Sequence, residues 1–430
     1  MSLLVKIGKK GKKLLKNFIA PSQPIEVRYT RRIERICTDR RICAMTFDDG
    51  PMDLPASPDR FGGKSLTDIL LDTLEEFGAK GTFDVIGSTK ENYPDRPGKL
   101  GTAAWGGVRY DHYPNFGEDA HGGAEANARL IRRMLDAGHQ VTNHGGKHIL
   151  FGKKPFVYGA RAYLGSFDAV VDDLKSLHEH MQTEYGYALK LARPPHYVDA
   201  IGDGFTSYDA YEAMDYQYMA ASFDGAGWLP SSLQDPNAAL EAEVRAMVEP
   251  MKKLLEKDPD ALCGQIIFQK DGYNMAVRTP VAFGLHKQLE LLQQYGYSVV
   301  TVSELMAESP FADLGRNDPL FEKLRDLADR RAVAYRDNTL QLDRRMTYGE
   351  LALLLCPKAE ALSRRNAQIR ALRRAVPCSW GAVDWCIEHR LLLPEHCADL
   401  PVASLPEAYF EKTADFSRRS IFTALKALPE

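Results

Sequence analysis

The sequence predicts an α/β protein built on parallel strands, followed by a smaller all-α domain. From residue 42 onward, seven short β-rich runs alternate with amphipathic helical stretches. Repeated alternation of strand and helix is typical of a parallel sheet, either closed into a barrel or doubly wound. The alternation stops near Ser309 and Pro310, and only helical patterns follow. A strand-rich body and a helical C-terminal domain therefore account for the whole pattern.

The predicted strands are short runs rich in β-branched and aromatic residues. In chain order they are 42–47 (ICAMTF), 81–86 (GTFDVI), 139–143 (HQVTN), 189–193 (LKLAR), 217–223 (QYMAASF), 265–269 (QIIFQ) and 297–302 (YSVVTV). The stretches between them, such as SLTDILLDTLEEFG, carry apolar residues at helical spacing. Residues 88–123 are too long for an ordinary connection, and 150–165 and 229–239 read as smaller insertions. Loops of this kind shape sites more often than they support folds.

Composition excludes several classes of protein. The chain has 430 residues, of which 44% are hydrophobic and 26% charged, so it is neither disordered nor membrane-embedded. No run approaches the ~18 apolar residues of a transmembrane helix. Residues 1–41 hold twelve basic and three acidic residues, whereas the formal net charge of the whole chain is −3. The body is therefore mildly acidic, which argues against a nucleic-acid-binding core.

We predict three parts: a basic N-terminal segment (1–41), the strand-rich body (42–308) and the helical domain (309–430). The N-terminal segment could present a basic amphipathic helix to an anionic lipid or polymer, or remain a solvated terminus. It has no signal-peptide core, so the chain as written is expected in the cytoplasm, with association with the cell envelope as the alternative. The seven cysteines are odd in number and include no CxxC pair, which favours reduced, mostly buried thiols.

Ionisable and aromatic residues cluster directly after the predicted strands. The carboxyl ends of parallel strands meet on one face of the fold, where sites are built. Five separate segments thus deliver polar groups to one rim, which is the strongest indication of a site. These groups are Asp48 and Asp49 after the first strand, His144 and His148 after the third, Arg193, His196 and Tyr197 at the fourth, Asp224 and Trp228 after the fifth, and Lys270 and Asp271 after the sixth.

Taken together, these residues fit a metal-dependent hydrolase. Two imidazoles and one carboxylate supply three protein ligands and leave a coordination position for water. A second carboxylate can then accept the proton of that water, so adjacent aspartates suit a division of labour. His144 and His148 stand four apart, but Gly145 and Gly146 between them disfavour a helix. A loop that brings both imidazoles to one ion is the better prediction, with two incidental surface histidines as the alternative.

At these residues the sequence resembles the polysaccharide deacetylases, carbohydrate esterase family four. AMTFDDGP (44–51) resembles the first motif of that family, and LTDILLDTLEEFGAKGTFDVIG resembles the helix and strand that follow it. DAGHQVTNHGGKH resembles the second motif, with His144 and His148 in the ligand places. The resemblance covers residues from about 42 to 306 in the order of the family and ends in VVTVSELM.

The resemblance implies a distorted (β/α) barrel of about seven strands. It also implies hydrolysis of a carbon–nitrogen, non-peptide amide bond, with removal of acetyl groups from an N-acetylated sugar or polysaccharide. Asp49, His144 and His148 would bind a divalent metal, with zinc expected and cobalt, nickel or manganese as alternatives. Asp48 would be the general base, oriented by Arg193. The remaining expectations are an oxyanion contact from the backbone N–H near Tyr197 and substrate contacts from Tyr197, Asp224 and Trp228.

Three departures from the family pattern affect the catalytic assignment. His196 intervenes before Tyr197, and Gly227 precedes Trp228 where the family has aspartate, so that Asp224 is displaced. Where the family supplies a histidine as general acid, this strand reads IIFQKDG. The replacement acid is therefore Lys270 or His196, with His121 or His112 in the long insertion as further candidates, because glutamine cannot serve. Two alternative functions follow: an altered or inactive metal- and glycan-binding protein of the same fold, or a hydrolase of a different amide.

The C-terminal domain resembles an S-layer homology repeat over residues 311–357. The similar features are a Phe-x-Asp opening, a turn at Asp337 and Asn338, and a helix starting with Thr347 and Glu350. The spacing of that Thr and Glu predicts a capping box. A second, poorer copy runs from Val376 to about Asp415. The resemblance implies a cell-wall polymer as partner, whereas the alternative is a helical domain that only packs on the barrel.

Overall fold

The protein is described from a computed structural model. The structure describes residues 26–53, 56, 60–88, 122–152, 163–228, 231–271, 279–394 and 417–425. His112 and His121 lie outside the described residues, as do most of the predicted insertions at 88–123 and 150–165. The same holds for the basic segment up to residue 25 and for much of the second S-layer-like copy.

The centre of the fold is a curled sheet in which every pairing between named strands is parallel. Among the described residues the strands are β1 (Arg32–Ile33), β2 (Ile42–Asp48), β3 (Thr82–Val85), β4 (Gln140–Asn143), β5 (Leu150–Phe151), β6 (Tyr163–Leu164), β7 (Leu191–Ala192), β8 (Gln217–Met219), β9 (Phe223–Asp224), β10 (Ile266–Lys270) and β11 (Ser298–Val300). The main sheet has the order β1-β8-β7-β4-β3-β2-β10-β9, with β11 also paired to β2. Strands β5 and β6 form a separate pair.

The segment that contains β1 contacts two strands that lie far apart in the sheet order. Ile33 O accepts from Ala220 N (2.8 Å), and Glu34 O accepts from Ile266 N (3.2 Å), so this segment bridges β8 and β10. At the centre, β2 is buried at all seven residues and pairs with β3 and β11 as well as β10. The predicted distorted barrel is thereby confirmed. All seven predicted strands are present, and the four additional strands in the described residues, β1, β5, β6 and β9, have two residues each.

Helices cover the outside of the curled sheet and connect its strands. In the described part of the body they are α1 (Leu66–Glu76), α2 (Ala128–Asp136), α3 (Phe167–Tyr185), α4 (Ser207–Met214), α5 (Pro236–Lys257), α6 (Val281–Gln294) and α7 (Val302–Glu308). Their ends follow local chemistry. Ser65 Oγ accepts from Asp68 N at the start of α1 (3.1 Å), and α3 ends at Gly186 in the left-handed conformation. The buried face of α1 is apolar and includes Leu70 and Leu74.

The C-terminal part is helical, as predicted. Its helices in the described residues are α8 (Phe321–Ala328), α9 (Tyr348–Leu355), α10 (Lys358–Leu372), α11 (Trp380–Glu388) and α12 (Arg418–Ala424). The predicted capping box is confirmed at α9, where Thr347 Oγ1 accepts from Glu350 N and Glu350 Oε2 accepts from Thr347 N. The apolar cluster of this part also contains Val27 and Tyr29. The boundaries at 42 and 309 stay predictions.

A buried charge cluster joins the helical part to the barrel. Arg28 donates to Asp209 Oδ1 (2.6 Å) and Glu212 Oε1 (3.0 Å) on α4, and Arg365 on α10 also contacts Asp209. Burial would raise the pKa of Asp209, but Arg365 and Arg28 hold it well below its usual range. Removing one partner would leave a buried charge unpaired, which typically costs ~3–5 kcal/mol. The two parts are therefore fixed to each other by charge as well as by packing.

The predictions about thiols and membrane spans agree with the described residues. Six of the seven cysteines are described, and all six are free thiols, four of them buried. Cys397 lies outside the described residues. In the part of the chain that the structure describes, none of the helices combines the length and apolar character needed to cross a membrane.

We expect acid-dependent destabilisation from His139, which precedes β4. Its Nδ1 accepts from Gly81 N (3.0 Å) and the residue is 5% exposed. Burial, with Lys80 and Arg133, lowers the pKa of His139 to about 4. The folded state therefore binds fewer protons than the unfolded chain between pH 6.5 and 4. Its contribution to stability is complete above pH ~6.5 and is lost as the pH falls, on the order of 3 kcal/mol by pH 4.

Urea unfolding of the wild type and of His139→Asn at pH 7, 5.5 and 4 measures this effect. The Asn side chain supplies an acceptor oxygen in place of Nδ1 but does not titrate in this range. Carboxylates contribute equally to both proteins, so the difference between the two pH profiles isolates His139. Parallel profiles would contradict the prediction.

Candidate active site

The carboxyl ends of β2, β4, β7 and β10 bring the predicted site residues together. Asp48 closes β2, and β10 pairs with it in a register that sets Lys270 opposite Asp48. On the other side, β3 sets Asp84 opposite Asp48. His144 follows β4, and Arg193 follows β7, whose Ala192 pairs with Asn143. Because these strands are parallel neighbours, one edge of the sheet brings together Asp48, Asp84, His144, Arg193 and Lys270.

Three buried side chains converge on one point. Oδ1 of Asp49 lies 3.1 Å from Nε2 of His144 and 3.2 Å from Nε2 of His148. All three residues are buried, and the three ligand atoms lie within 4.8 Å of one another. In a tetrahedral zinc site with bonds of ~2.0–2.1 Å, neighbouring ligand atoms are ~3.3 Å apart. The donor set and its spacing therefore fit a divalent metal with nitrogen and oxygen ligands.

The loop that carries both histidines adopts the non-helical path expected from its glycines. Gly145 has φ +96°, and His148 has φ +51°. Asp173 on α3 anchors the loop, since its carboxylate accepts from Gly146 N (2.8 Å) and Lys147 N (3.0 Å). A Cβ at Gly146 would lie 2.3 Å from Ser176 Oγ and 2.5 Å from the backbone oxygen of Asp173. Only glycine allows the loop to sit this close to α3.

Asp48 is held as a neighbour of the metal ligands. Nη1 of Arg193 donates to its Oδ1 (2.6 Å), while its Oδ2 lies 3.9 Å from Nε2 of His144. Arg193 is itself fixed by Thr46 Oγ1 (3.1 Å) and by the carbonyl of Met219 (3.3 Å). Burial raises the pKa of Asp48, although Arg193 and His144 oppose the change. This carboxylate is therefore oriented, dry and more basic than an exposed aspartate.

The second nitrogen of His144 lies between a hydrogen-bond acceptor and a nearby carboxylate. Nδ1 donates to the carbonyl of Arg193 (2.9 Å), and Oδ2 of Asp84 lies at the same distance from it. Burial lowers the pKa of His144, but Asp84, Asp49 and Asp48 raise it to about 10. The three carboxylates around this ring therefore favour its positively charged form.

The pleat of β10 places Gln269 and Lys270, the two residues where the resemblance implies a general acid, on opposite faces. Gln269 points away from the site, where its Nε2 donates to Gln288 on α6 (2.5 Å) and to the carbonyl of Gly225 (3.3 Å). Adjacent residues on a strand face opposite ways. Lys270 accordingly faces the site, and its ammonium contacts Oδ2 of Asp49. Gln269 thus lies away from the site, and Lys270 lies against Asp49, a candidate metal ligand.

His196 and Tyr197 lie in a short turn beside the second histidine ligand. Both have positive φ, +54° and +56°, a conformation that few non-glycine residues adopt. The His196 ring stacks on that of His148 with centroids 5.6 Å apart. The N–H of Tyr197 donates to the carbonyl of Pro194 (2.9 Å), and its predicted oxyanion role stays a prediction.

Asp224 and Trp228 form a local pair at the end of β9. Nε1 of Trp228 donates to the carboxylate of Asp224, with both oxygens at 3.2 Å. Asp224 is exposed and Trp228 is half-buried. An acid and a tryptophan are therefore in contact here, although they are four residues apart in the chain. Their contact with substrate stays a prediction.

Three contributors were not singled out from the sequence. Asp84 on β3 could have been found, because an acid inside a buried strand needs a reason. Asp173 could not have been found from the sequence. Asp172 beside it is also an aspartate, and only the packing of α3 distinguishes the two. Thr67 donates to Oδ1 of Asp271 (2.6 Å), and burial raises the pKa of Asp271 to about 7. Asp271 lies under Gly50, where a Cβ would be 1.9 Å from its Oδ2.

Comparison with protein families agrees with the geometry. Residues 35–197 match the polysaccharide deacetylase family model. The polysaccharide deacetylase match contains Asp48, the three candidate ligands and Arg193, whereas Lys270 lies beyond it. It covers less than half of the chain. The family match and the candidate Asp–His–His metal site thus coincide in the same segment.

Comparison with curated proteins found no match. Among solved structures, the chitin deacetylase of Colletotrichum lindemuthianum is 20% identical with a TM-score of 0.43, covering 67% of this chain and 95% of that chain. Peptidoglycan deacetylase PdaC of Bacillus subtilis is 18% identical with a TM-score of 0.40, covering 68% and 96%. A CE4 family pseudoenzyme of Bacillus anthracis is 14% identical with a TM-score of 0.38, covering 64% and 68%. These similarities are too loose to assign an activity.

Proposed function

We propose that this protein is a metal-dependent hydrolase that removes acetyl groups from an N-acetylated sugar or polysaccharide. The observation that carries the proposal is the convergence of Asp49, His144 and His148 on one point, with Asp48 held beside them by Arg193. A family match over residues 35–197 supports the polysaccharide deacetylase chemistry. The bond that breaks is a carbon–nitrogen, non-peptide amide bond.

Asp49, His144 and His148 would hold the metal, for which we propose zinc, with cobalt, nickel or manganese as substitutes. The metal would supply a Lewis acid that polarises the amide carbonyl and makes a water molecule nucleophilic near neutral pH. The ammonium of Lys270 contacts Oδ2 of Asp49, whereas Oδ1 is the oxygen that faces the two imidazoles. The buried surroundings strengthen every electrostatic contact at the reacting atoms.

Asp48 is the proposed general base. Its carboxylate takes a proton from the attacking water as the water oxygen bonds to the acetyl carbon. Arg193 keeps Oδ1 engaged (2.6 Å), so Oδ2 is the oxygen that faces the ligands. The carbon–nitrogen bond then breaks, and the amine leaves as acetate is released. Proton transfer by a positioned side chain typically contributes ~10²–10⁴-fold to the rate.

The leaving amine requires a proton, and we propose His196 as its donor rather than Lys270. The His196 ring is half-buried and stacks on a candidate metal ligand, which brings it to the reacting centre. Donation from Lys270 would break its ion pair with Asp49. Substrate contacts from Tyr197, Asp224 and Trp228 complete the proposal, since they surround the same rim.

Release of acetate from N-acetylglucosamine oligomers tests the proposed function. Protein stripped with a chelator and then loaded with zinc or cobalt should release acetate, whereas stripped protein should not. A panel of N-acetylated sugars and an aryl acetate distinguishes an amide deacetylase from a general esterase. No release from any of them by loaded protein would contradict the proposal.

The donor assignment gives a further expected result. His196→Gln should slow acetate release from the N-acetyl sugar by ~10²-fold or more, because an amine leaves poorly without a proton. The same variant should hydrolyse the aryl acetate at nearly the wild-type rate, since a phenolate leaves unaided. Equal slowing with both substrates, or with neither, would contradict a donor role.

The ion pair between Lys270 and Asp49 favours a second candidate function, a metal- and glycan-binding protein without catalysis. A half-buried ammonium against the carboxylate of a candidate ligand opposes a dication and stands where the family has its acid. This alternative predicts binding of N-acetylglucosamine oligomers and zinc without acetate release. Calorimetry with both ligands, beside the acetate assay, separates the two functions.

A cell-wall polymer is the proposed partner of the helical part, on the resemblance of residues 311–357 to an S-layer homology repeat. Co-sedimentation of the full chain with purified cell walls tests it. The protein should pellet with the walls, which would support association with the cell envelope. If added walls leave the amount of protein in the soluble fraction unchanged, the proposed cell-wall partner is contradicted.

A further inference from the structure

Asp84 is a fully buried carboxylate that the proposed reaction has not yet used. It lies on β3 with no exposed surface, at the position opposite Asp48 in the sheet register. Burying a carboxylate is costly unless it is paired with charge or hydrogen bonds. Thr142 on the neighbouring strand donates to its Oδ1 (2.6 Å). The other oxygen, Oδ2, is directed to His144 at 2.9 Å from Nδ1.

These contacts determine which nitrogen of His144 faces the other two candidate ligands, Asp49 and His148. Both groups next to Nδ1, the Asp84 carboxylate and the carbonyl of Arg193, can only accept hydrogen bonds. Nδ1 must therefore carry hydrogen, and Nε2 is the nitrogen directed at Oδ1 of Asp49 (3.1 Å). The carbonyl fixes the ring direction, whereas the carboxylate adds a full negative charge behind the ring. A carboxylate behind a ligating imidazole raises its strength as a donor.

The charge balance of the site gives that carboxylate a second purpose. Lys270 places an ammonium directly on Asp49, the one charged member of the ligand triad, and Arg193 places another cation on Asp48. Both oppose the entry of a dication. Asp84 adds a negative charge behind the His144 ring, and Arg193 also interacts electrostatically with that charge. Loss of the Asp84 charge should therefore lower the affinity of the site for metal.

We propose that Asp84 is a positioning residue that holds the His144 imidazole with hydrogen on Nδ1 and strengthens Nε2 as a metal ligand. This inference rests on the metal site of the proposed function. Carboxylate–imidazole–metal arrangements of this kind typically account for ~10–100-fold in metal affinity. Asp84 does not touch the reacting atoms, so its effect passes through His144.

The test compares zinc affinity, by competition with a chromophoric chelator, in the wild type, Asp84→Asn and Thr142→Val. Asp84→Asn keeps the shape and removes the charge. Thr142→Val is the matched control, because it removes the hydrogen bond to Asp84 but keeps the carboxylate. The visible spectrum of the cobalt-loaded proteins reports on the donor strength of the ligands. Thermal unfolding of the metal-free proteins confirms that each variant is folded.

We expect zinc affinity to fall ~10–100-fold in Asp84→Asn, with a shift of the cobalt bands, and to stay within ~3-fold in Thr142→Val. Wild-type affinity in Asp84→Asn would overturn the inference and leave the proposed function intact. Equal losses in both variants would also overturn it, since packing rather than charge would then be responsible. A wild type that binds neither zinc nor cobalt would overturn the inference and the proposed function together.

Discussion

Replacement of His148 by alanine should reduce zinc affinity by more than ~100-fold, beyond the usual effect of losing a supporting residue. The reason is that His148 supplies one of three buried ligand atoms, with its Nε2 3.2 Å from Oδ1 of Asp49. Two protein ligands remain in the variant, which is fewer than the three of ordinary catalytic zinc sites. The ring of His144 also contacts Arg193 and Asp84, whereas the ring of His148 stacks on His196.

Metal content after dialysis and calorimetric titration with zinc measure this effect. His286→Ala is the matched control, because His286 is an exposed histidine on α6 that pairs with Glu76. The control should bind zinc as the wild type does. Unchanged affinity in His148→Ala, or an equal loss in the control, would contradict the ligand assignment.

Asp48→Asn should retain the metal and lose acetate release by ~10²–10⁴-fold. The amide oxygen can still accept from Nη1 of Arg193, so the side chain keeps its place, but it cannot take a proton from water. The expected signature is a fall in kcat with the zinc affinity of the wild type. That separation distinguishes a general base from a metal ligand, since loss of a ligand would move both quantities.

The control for this variant is Asp136→Asn, the same chemical change at an exposed position at the end of α2. Its activity should equal that of the wild type. Acetate release from Asp48→Asn within ~3-fold of the wild type would show that Asp48 is not the base. Loss of zinc from Asp48→Asn would instead add Asp48 to the ligand set.

The rim of the site could be predicted because parallel strands share an edge. One run of the sequence is followed by Asp48 and Asp49, a second by His144, and a third ends in Arg193; the sheet brings these three runs together. The glycines at 145 and 146 predicted a loop between the histidines, and the positive φ of Gly145 agrees with it. Strands β1 and β9 escaped prediction as separate elements because two residues carry no periodic pattern.

Residues that depend on side-chain direction could not be predicted with the same certainty. Gln269 and Lys270 stood as alternatives, because the end of a strand must be known before its pleat assigns faces. Asp84 was visible as an acid within GTFDVI, but its contact with His144 depends on the register of β3 and β4. Asp173 anchors the histidine loop from within α3, and no local sequence pattern marks it.

The resemblance of the C-terminal part to a wall-binding repeat is likewise a matter for experiment, since helical packing alone accounts for its buried residues.

The central claim is that Asp49, His144 and His148 bind one divalent metal ion. Anomalous diffraction from a zinc-loaded crystal, measured on both sides of the zinc absorption edge, tests it most directly. We predict a single strong peak within bonding distance (~2.0–2.2 Å) of Asp49 Oδ1, His144 Nε2 and His148 Nε2. Absence of a peak there at saturating zinc, or a peak held by other side chains, would contradict the claim.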